Sequence, residues 1–126
     1  MLKMLLDLIK KYILQFVQNC NKLKSIDFEK TLFTYLKNEV INEVSNHCNN
    51  LCWLNLSYTN VSDDNVLEIL KKTRLLNSLK LENCYYLTDN LFINGSKYMS
   101  NLEILNIKNC EKLTIKSFEN NLIKHC

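Results

Sequence analysis

His47-Cys48-x-x-x-Cys52 places one imidazole and two thiols within one short stretch. These are ligands that zinc prefers, but a structural zinc site takes four of them, usually as two clustered pairs. No second pair accompanies this one, so Cys48 is expected to pack as a small hydrophobe. Nucleophilic catalysis needs a base beside the nucleophile. The only imidazoles are His47 and His125, far apart in the chain. The adjacent carboxylates Asp63-Asp64 invite a general acid–base reading. Asp63 is better explained as an acid at a helix start, facing the positive end of the dipole, and Asp64 as its solvated neighbour. Gly95 is the sole glycine, which leaves a glycine-rich phosphate loop without its means of close backbone approach. These residues assign no catalytic site, no metal and no cofactor. The chain is not expected to be an enzyme.

The chain that must position these residues has 126 of them, 47% hydrophobic and 23% charged. That is enough for one domain with its own core. The lack of proline and the single glycine exclude collagen-like and linker-like readings. The net charge is +3, with Lys and Arg interleaved among Asp and Glu. A nucleic-acid interface would gather its basic residues on one face, so no nucleic acid is expected. Residues 1–20 are rich in apolar side chains, but Lys3, Asp7, Lys10 and Lys11 interrupt them. Neither a signal peptide nor a membrane span of ~18 apolar residues is read there. The six cysteines are therefore expected in a reducing compartment, cytoplasmic or nuclear.

An internal repeat organises the sequence. Leu51-Cys-Trp-Leu54-Asn-Leu56, Leu76-Asn-Ser-Leu79-Lys-Leu81 and Leu102-Glu-Ile-Leu105-Asn-Ile107 share L-x-x-L-x-[LI] at nearly even spacing. Leu23-Lys-Ser-Ile26-Asp-Phe28 is a weaker copy upstream, at a slightly longer spacing. Thr59, Cys84 and Cys110 follow at one offset; Val61-Ser-Asp63, Leu87-Thr-Asp89 and Leu113-Thr-Ile115 come next. Val66, Phe92 and Phe118 lie further on, and Cys20, Cys48, Thr73 and Met99 precede the strands. So many positions agreeing in phase, at a period within the range of known solenoid repeats, make a specific signal for that architecture.

The pattern resembles the cysteine-containing class of leucine-rich repeats, over roughly residues 20 to 126. Thr59 in the Cys slot and Ile115 in the Asp slot depart from it. The resemblance implies an α/β fold, a short leucine-rich-repeat solenoid with parallel strands on the concave face and helices outside. Its units are a capping helix at 1–22 and repeats at 23–50, 51–75, 76–101 and 102–126. Cys84 and Cys110 should stack on neighbouring turns. Adjacent strands at ~4.8 Å would permit a disulfide, but the resemblance implies buried thiols.

Period-two spacing makes L-x-L a short strand with both apolar residues inward. Ser62 and Thr88 are expected as helix N-caps, Asp63 and Asp89 as favourable acids beside them, and Thr114 as a cap without an acid. Residues 1–20 form a helix by their i, i+3, i+4 spacing. Leu2, Leu5, Leu6, Ile9, Ile13, Phe16, Val17 and Cys20 are the face expected to cover the first strand.

The residues between and after the inward leucines then line the concave face. They are Ser25, Asp27 and Glu29; Trp53, Asn55, Ser57 and Tyr58; Ser78, Lys80, Glu82 and Asn83; Ile104, Asn106, Lys108 and Asn109. From Trp53 onward these are the candidate partner-binding residues, because Trp and Tyr are enriched where interfaces concentrate their energy. A sheet of four strands offers on the order of 200 Å² there, against about 800 Å² per partner in a standard interface. The last strand, around Glu103–Lys108, is an open C-terminal edge through which the chain is expected to associate. Its cover is a short helix from Thr114 through Leu122 to His125 and Cys126.

Repeats of this class occur in F-box leucine-rich-repeat proteins and in antagonist-of-mitotic-exit-network-like proteins. The resemblance implies a non-enzymatic protein–protein interaction module, with substrate recognition or an adaptor role in a ubiquitin-ligase-type complex as the finer expectation. The alternative is a structural subunit of a larger assembly, such as a mitochondrial coupling-factor-B-like protein, docking through its open repeat edge. Leu32-Phe-Thr-Tyr-Leu36 echoes part of an F-box, but the Leu-Pro that precedes it there is absent. The expected partner is a protein, with no membrane involved.

Overall fold

The inward leucines of each repeat have to be shielded by the next repeat, and that requirement sets the architecture. The computed structural model describes residues 1–30 and 33–114, and the side chains of all these except 33–38. Along the chain run α1 (Leu2–Asn19), β1 (Ser25–Asp27), α2 (Phe33–His47), β2 (Trp53–Asn55), α3 (Asp63–Lys72), β3 (Ser78–Lys80), α4 (Asn90–Gly95), a 3-10 turn (Ser96–Tyr98) and β4 (Ile104–Asn106). The strands form one parallel sheet in the order β1-β2-β3-β4. The helices stack in the same order, α1 on α2, α2 on α3 and α3 on α4. The fold is a short leucine-rich-repeat solenoid. Expectations placed on Ile115, Phe118, Leu122, His125 and Cys126 lie outside the described residues, as do Leu32 and the side chains of 33–36.

The register repeats without drift. Ser25, Trp53, Ser78 and Ile104 form one row, and Asp27, Asn55, Lys80 and Asn106 another. Backbone bonds extend the ladder beyond the strands. Trp53 N–H donates to Lys24 O, Ser78 N–H to Cys52 O and Ile104 N–H to Asn77 O. After the strands, Lys30 N–H donates to Ser57 O, Tyr58 N–H to Glu82 O and Asn83 N–H to Lys108 O. The residue at that last position takes a left-handed backbone in every repeat: Lys30 (φ 57°), Tyr58 (φ 61°), Asn83 (φ 56°) and Asn109 (φ 59°). Asn tolerates this conformation best among non-glycine residues and fills the position in the last two repeats, whereas Lys30 and Tyr58 adopt it in the first two. Gly95 serves another purpose. A Cβ there would lie 2.8 Å from Leu67 Cδ2, so its lack of a side chain lets α4 approach α3.

Leu51, Leu54, Leu56, Leu76, Leu79 and Leu81 fill the core at no more than 2% exposure. Ser62 caps α3 as expected, accepting Asn65 N–H at 3.3 Å, while Asn65 Oδ1 accepts Ser62 N–H at 3.0 Å. The Thr-Asp pair does more than start helices. The Asp63 carboxylate accepts Thr88 N–H at 2.8 Å and Thr88 O–H at 2.5 Å. Asp89 does the same for Thr114, at 2.8 and 2.7 Å. The Thr88 hydroxyl also accepts Asn90 N–H at 3.3 Å, and α4 begins one residue later than expected, with Asp89 in the cap position. An acid in one repeat thus clips the Thr of the next.

The thiols bridge repeats as well. Cys84 Sγ donates to Leu56 O at 3.2 Å and Cys110 Sγ to Leu81 O at 3.0 Å. Both cysteines are free. Burial pushes the Cys84 thiol up to about 11 and raises those of Cys110 and Cys48. Thr59, in the Cys slot, donates instead to Leu56 O of its own repeat, at 2.5 Å.

Helix α1 departs from expectation. Val17 is its one fully buried residue, Ile13 and Leu14 pack on the core, and Lys10 pairs with Glu39 of α2 at 2.6 Å. Leu2, Leu5, Ile9 and Phe16, assigned to the covering face, are exposed. The helix is apolar around more of its circumference than α2 can cover.

Candidate protein-binding face

The concave side chains divide into those held by the protein itself and those left free. Asn55 is buried: its Oδ1 accepts Ser57 N–H at 3.0 Å and its Nδ2 donates to Glu29 Oε2 at 3.0 Å. Asn106 repeats both contacts, with Lys108 N–H at 3.0 Å and Glu82 Oε2 at 3.3 Å. Asp27 likewise accepts Glu29 N–H at 2.9 Å. An acceptor two residues before the turn therefore holds the turn amide in three repeats. The third repeat has Lys80 there, which can only donate. The Glu82 N–H bonds instead to Ser57 Oγ of the preceding repeat, at 3.1 Å. Ser57 and Asn83 are buried, and Asn83 Oδ1 accepts the Tyr85 hydroxyl at 3.0 Å.

Most of the remaining residues face solvent. Trp53 is half-buried, and the ammonium of Lys80 lies 5.4 Å from its ring centroid. Lys30 stands over Tyr58 in the same way at 4.9 Å, and Tyr58 is 44% exposed. Ile104 is 54% exposed on the same row as Trp53. Between them Ser78 is buried and its Oγ has no hydrogen-bond partner among the described residues. Glu82 is half-buried, and Lys108 and Asn109 are exposed. The sheet thus presents to solvent an aromatic ring held by a cation and an aliphatic side chain in one line, separated by the small, buried Ser78. The cation–π contacts orient two long lysines and add roughly 0.5–1 kcal/mol each at exposed sites.

Two signals of this face are present in the sequence but escape a reading along the chain: Asn two residues before a turn amide, and the aromatic–lysine pairs offset by one repeat. Among the described residues, no group of three or more His, Cys, Asp or Glu is placed to hold a metal, and no helix is long and apolar enough to cross a membrane.

No family model matches the chain, and no curated protein matches it in sequence. Solved structures do match in shape. A chain in the yeast Rad7 and Elc1 complex superposes with a TM-score of 0.77 at 22% identity, covering 97% of this chain. The match spans 31% of that chain. Leiomodin-1 actin-binding site 2 superposes with a TM-score of 0.71 at 16% identity, covering 90% of this chain and 72% of the other. At these identities the likeness concerns the fold, which is a leucine-rich-repeat-like array.

Proposed function

We propose that the concave face binds a protein partner and that the chain is a recognition or adaptor module, not an enzyme. The observation that carries this is the row Trp53, Ser78, Ile104. A half-exposed Trp under a lysine and an exposed aliphatic side chain stand on either side of the small, buried Ser78 and leave an apolar row open to solvent. Trp and Tyr anchors of this kind dominate interface energies. Tyr58, Lys80, Glu82, Lys108 and Asn109 form the rim. Asn55, Ser57, Asn83 and Asn106 shape the face from within. The sheet is small for a standard interface, so the exposed turn residues Tyr85 and Tyr86 extend it. The finer reading is substrate recognition for a ubiquitin-ligase-type complex. It rests on the cysteine-containing repeat pattern and on the likeness to a structure solved as a two-protein complex.

Quantitative affinity capture with the tagged full chain tests this. Trp53→Ala and Lys80→Glu should each reduce recovery of specific partners at least tenfold while thermal unfolding stays cooperative. Unchanged recovery by both variants contradicts the assignment of the face. Absence of ubiquitin-ligase subunits among the partners removes the finer reading alone.

A further inference from the structure

We propose that the N-terminal end of the solenoid is a second docking surface, which receives a strand–helix unit of leucine-rich type from a partner polypeptide. This goes beyond the concave-face reading and does not depend on it. Each interior repeat shows its predecessor the same groups. In β2 these are the N–H of Cys52 and Trp53, bonded to Lys24 O, and the carbonyls of Asn55 and Ser57, which accept from Phe28 and Lys30. In β3 they are the N–H of Asn77 and Ser78 and the carbonyls of Lys80 and Glu82. By the same register β1 turns outward the N–H of Lys24 and Ser25 and the carbonyls of Asp27 and Glu29.

The side chains there are only partly covered. Leu23, Ile26 and Phe28 are half-buried, whereas their counterparts Leu51, Leu54 and Leu56 are wholly buried. They line a groove of ≈ 300 Å³ with Ile13 and Phe16 of α1. From Phe16 an apolar stripe continues along α1 through Tyr12, Ile9, Leu5 and Leu2, each 43% to 68% exposed. The 3-4-3-4 spacing puts these on one flank, and Lys3, Asp7, Lys10 and Lys11 fall outside it. With Met4 and Leu8 the exposed apolar area is on the order of 700 Å². The largest patch on a typical monomer is ~300–600 Å², and one side of a standard interface about 800 Å².

The occupant follows from this combination. A strand edge, a groove for inward apolar residues and a helix flank are what a preceding repeat would cover. A lipid surface would suit the stripe and its neighbouring lysines, but it offers the open backbone groups of β1 no partner in their register.

The test uses the ¹⁵N-labelled full chain and, as probe, a synthetic peptide of residues 76–101, one whole strand–helix unit. Saturable shifts should appear at Lys24, Ser25, Ile26 and Phe28 and along the outer flank of α1. The double variant Leu5→Lys, Phe16→Lys should weaken binding at least tenfold, and Trp53→Ala should leave it unchanged. Should the double variant fail to fold, hydrogen exchange in the unaltered chain decides: the peptide slows the Lys24–Phe28 amides at least tenfold. No saturation, no slowing, or shifts confined to β4 or the concave face overturns the proposal. So does uptake of the chain by anionic phosphatidylserine vesicles without peptide binding.

Discussion

The first repeat and the two that follow carry the same L-x-x-L-x-L positions, yet they differ in how completely those positions are enclosed. Leu54 and Leu79 are fully buried, between neighbouring strands on both sides; Ile26, in the same register, is half-buried. The interior repeats are also bound across their boundaries by Asp63 to Thr88 and by Cys84 to Leu56 O. At the boundary between the first two repeats Thr59 stands in the Cys slot and turns its hydrogen bond inward to its own repeat. A consensus position in such an array therefore gains its stabilising effect from the repeat next to it. The same letter at the end of the array does less.

Truncation in the core gives the largest contrast. Leu54→Ala should cost about 2–5 kcal/mol, as fully buried leucines do when a cavity remains. Ile26→Ala should cost less, roughly 1–2 kcal/mol, because part of its surface is already in water and one side lacks a neighbouring strand. Urea unfolding of both variants measures the gap, and equal losses would remove the distinction.

The next effect is a pH dependence centred on the interior. Cys84 has its thiol raised from 9.0 to about 11 by burial. A raised pKa means that folding favours the protonated thiol. Its stabilisation is full below pH 9 and declines as pH climbs toward 11, by on the order of 2 kcal/mol at ~1.4 kcal/mol per unit. Cys84→Ala should lose this slope. Half-exposed Cys20 and Cys52 should alkylate in the folded chain while Cys84 stays unreacted.

A smaller test concerns the turn amide of the third repeat. Ser57→Ala leaves the Glu82 N–H without its acceptor and should cost roughly 1 kcal/mol. Adding Lys80→Asn restores the acceptor found in the neighbouring repeats, so the double variant should recover most of that loss. The smallest effect lies back at the first repeat. Lys30→Asn should stabilise by a few tenths to about 1 kcal/mol by relieving the left-handed backbone, as judged from peptide sterics. Replacing Asn83 by Gly should gain nothing.

The repeat phase revealed the parallel order, the strand centres and the inward leucines, because burial repeats at fixed spacing whatever the partner. Which concave side chains are spent inside the protein was harder to see. Asn55 and Ser57 look like free polar residues in sequence. Their partners, Glu29 and the Glu82 amide, lie in the neighbouring repeats and become visible only when those repeats are set side by side. The reading of α1 missed for a related reason. Leu5 and Phe16 fit an amphipathic pattern with Ile13 and Val17, but α2 covers one flank and the pattern cannot say which.

Residue-resolved native-state hydrogen exchange tests the contrast between a filled interior and an open N-terminal end most directly. Phe28 N–H and Leu56 N–H make equivalent backbone bonds, to Asn55 O at 2.8 Å and to Lys80 O at 2.9 Å. Local opening, rather than bond geometry, then sets the difference between them. Phe28 should exchange at least about tenfold faster than Leu56. Equal protection at the two amides would show that the first repeat is as firmly enclosed as the second, and would contradict the account.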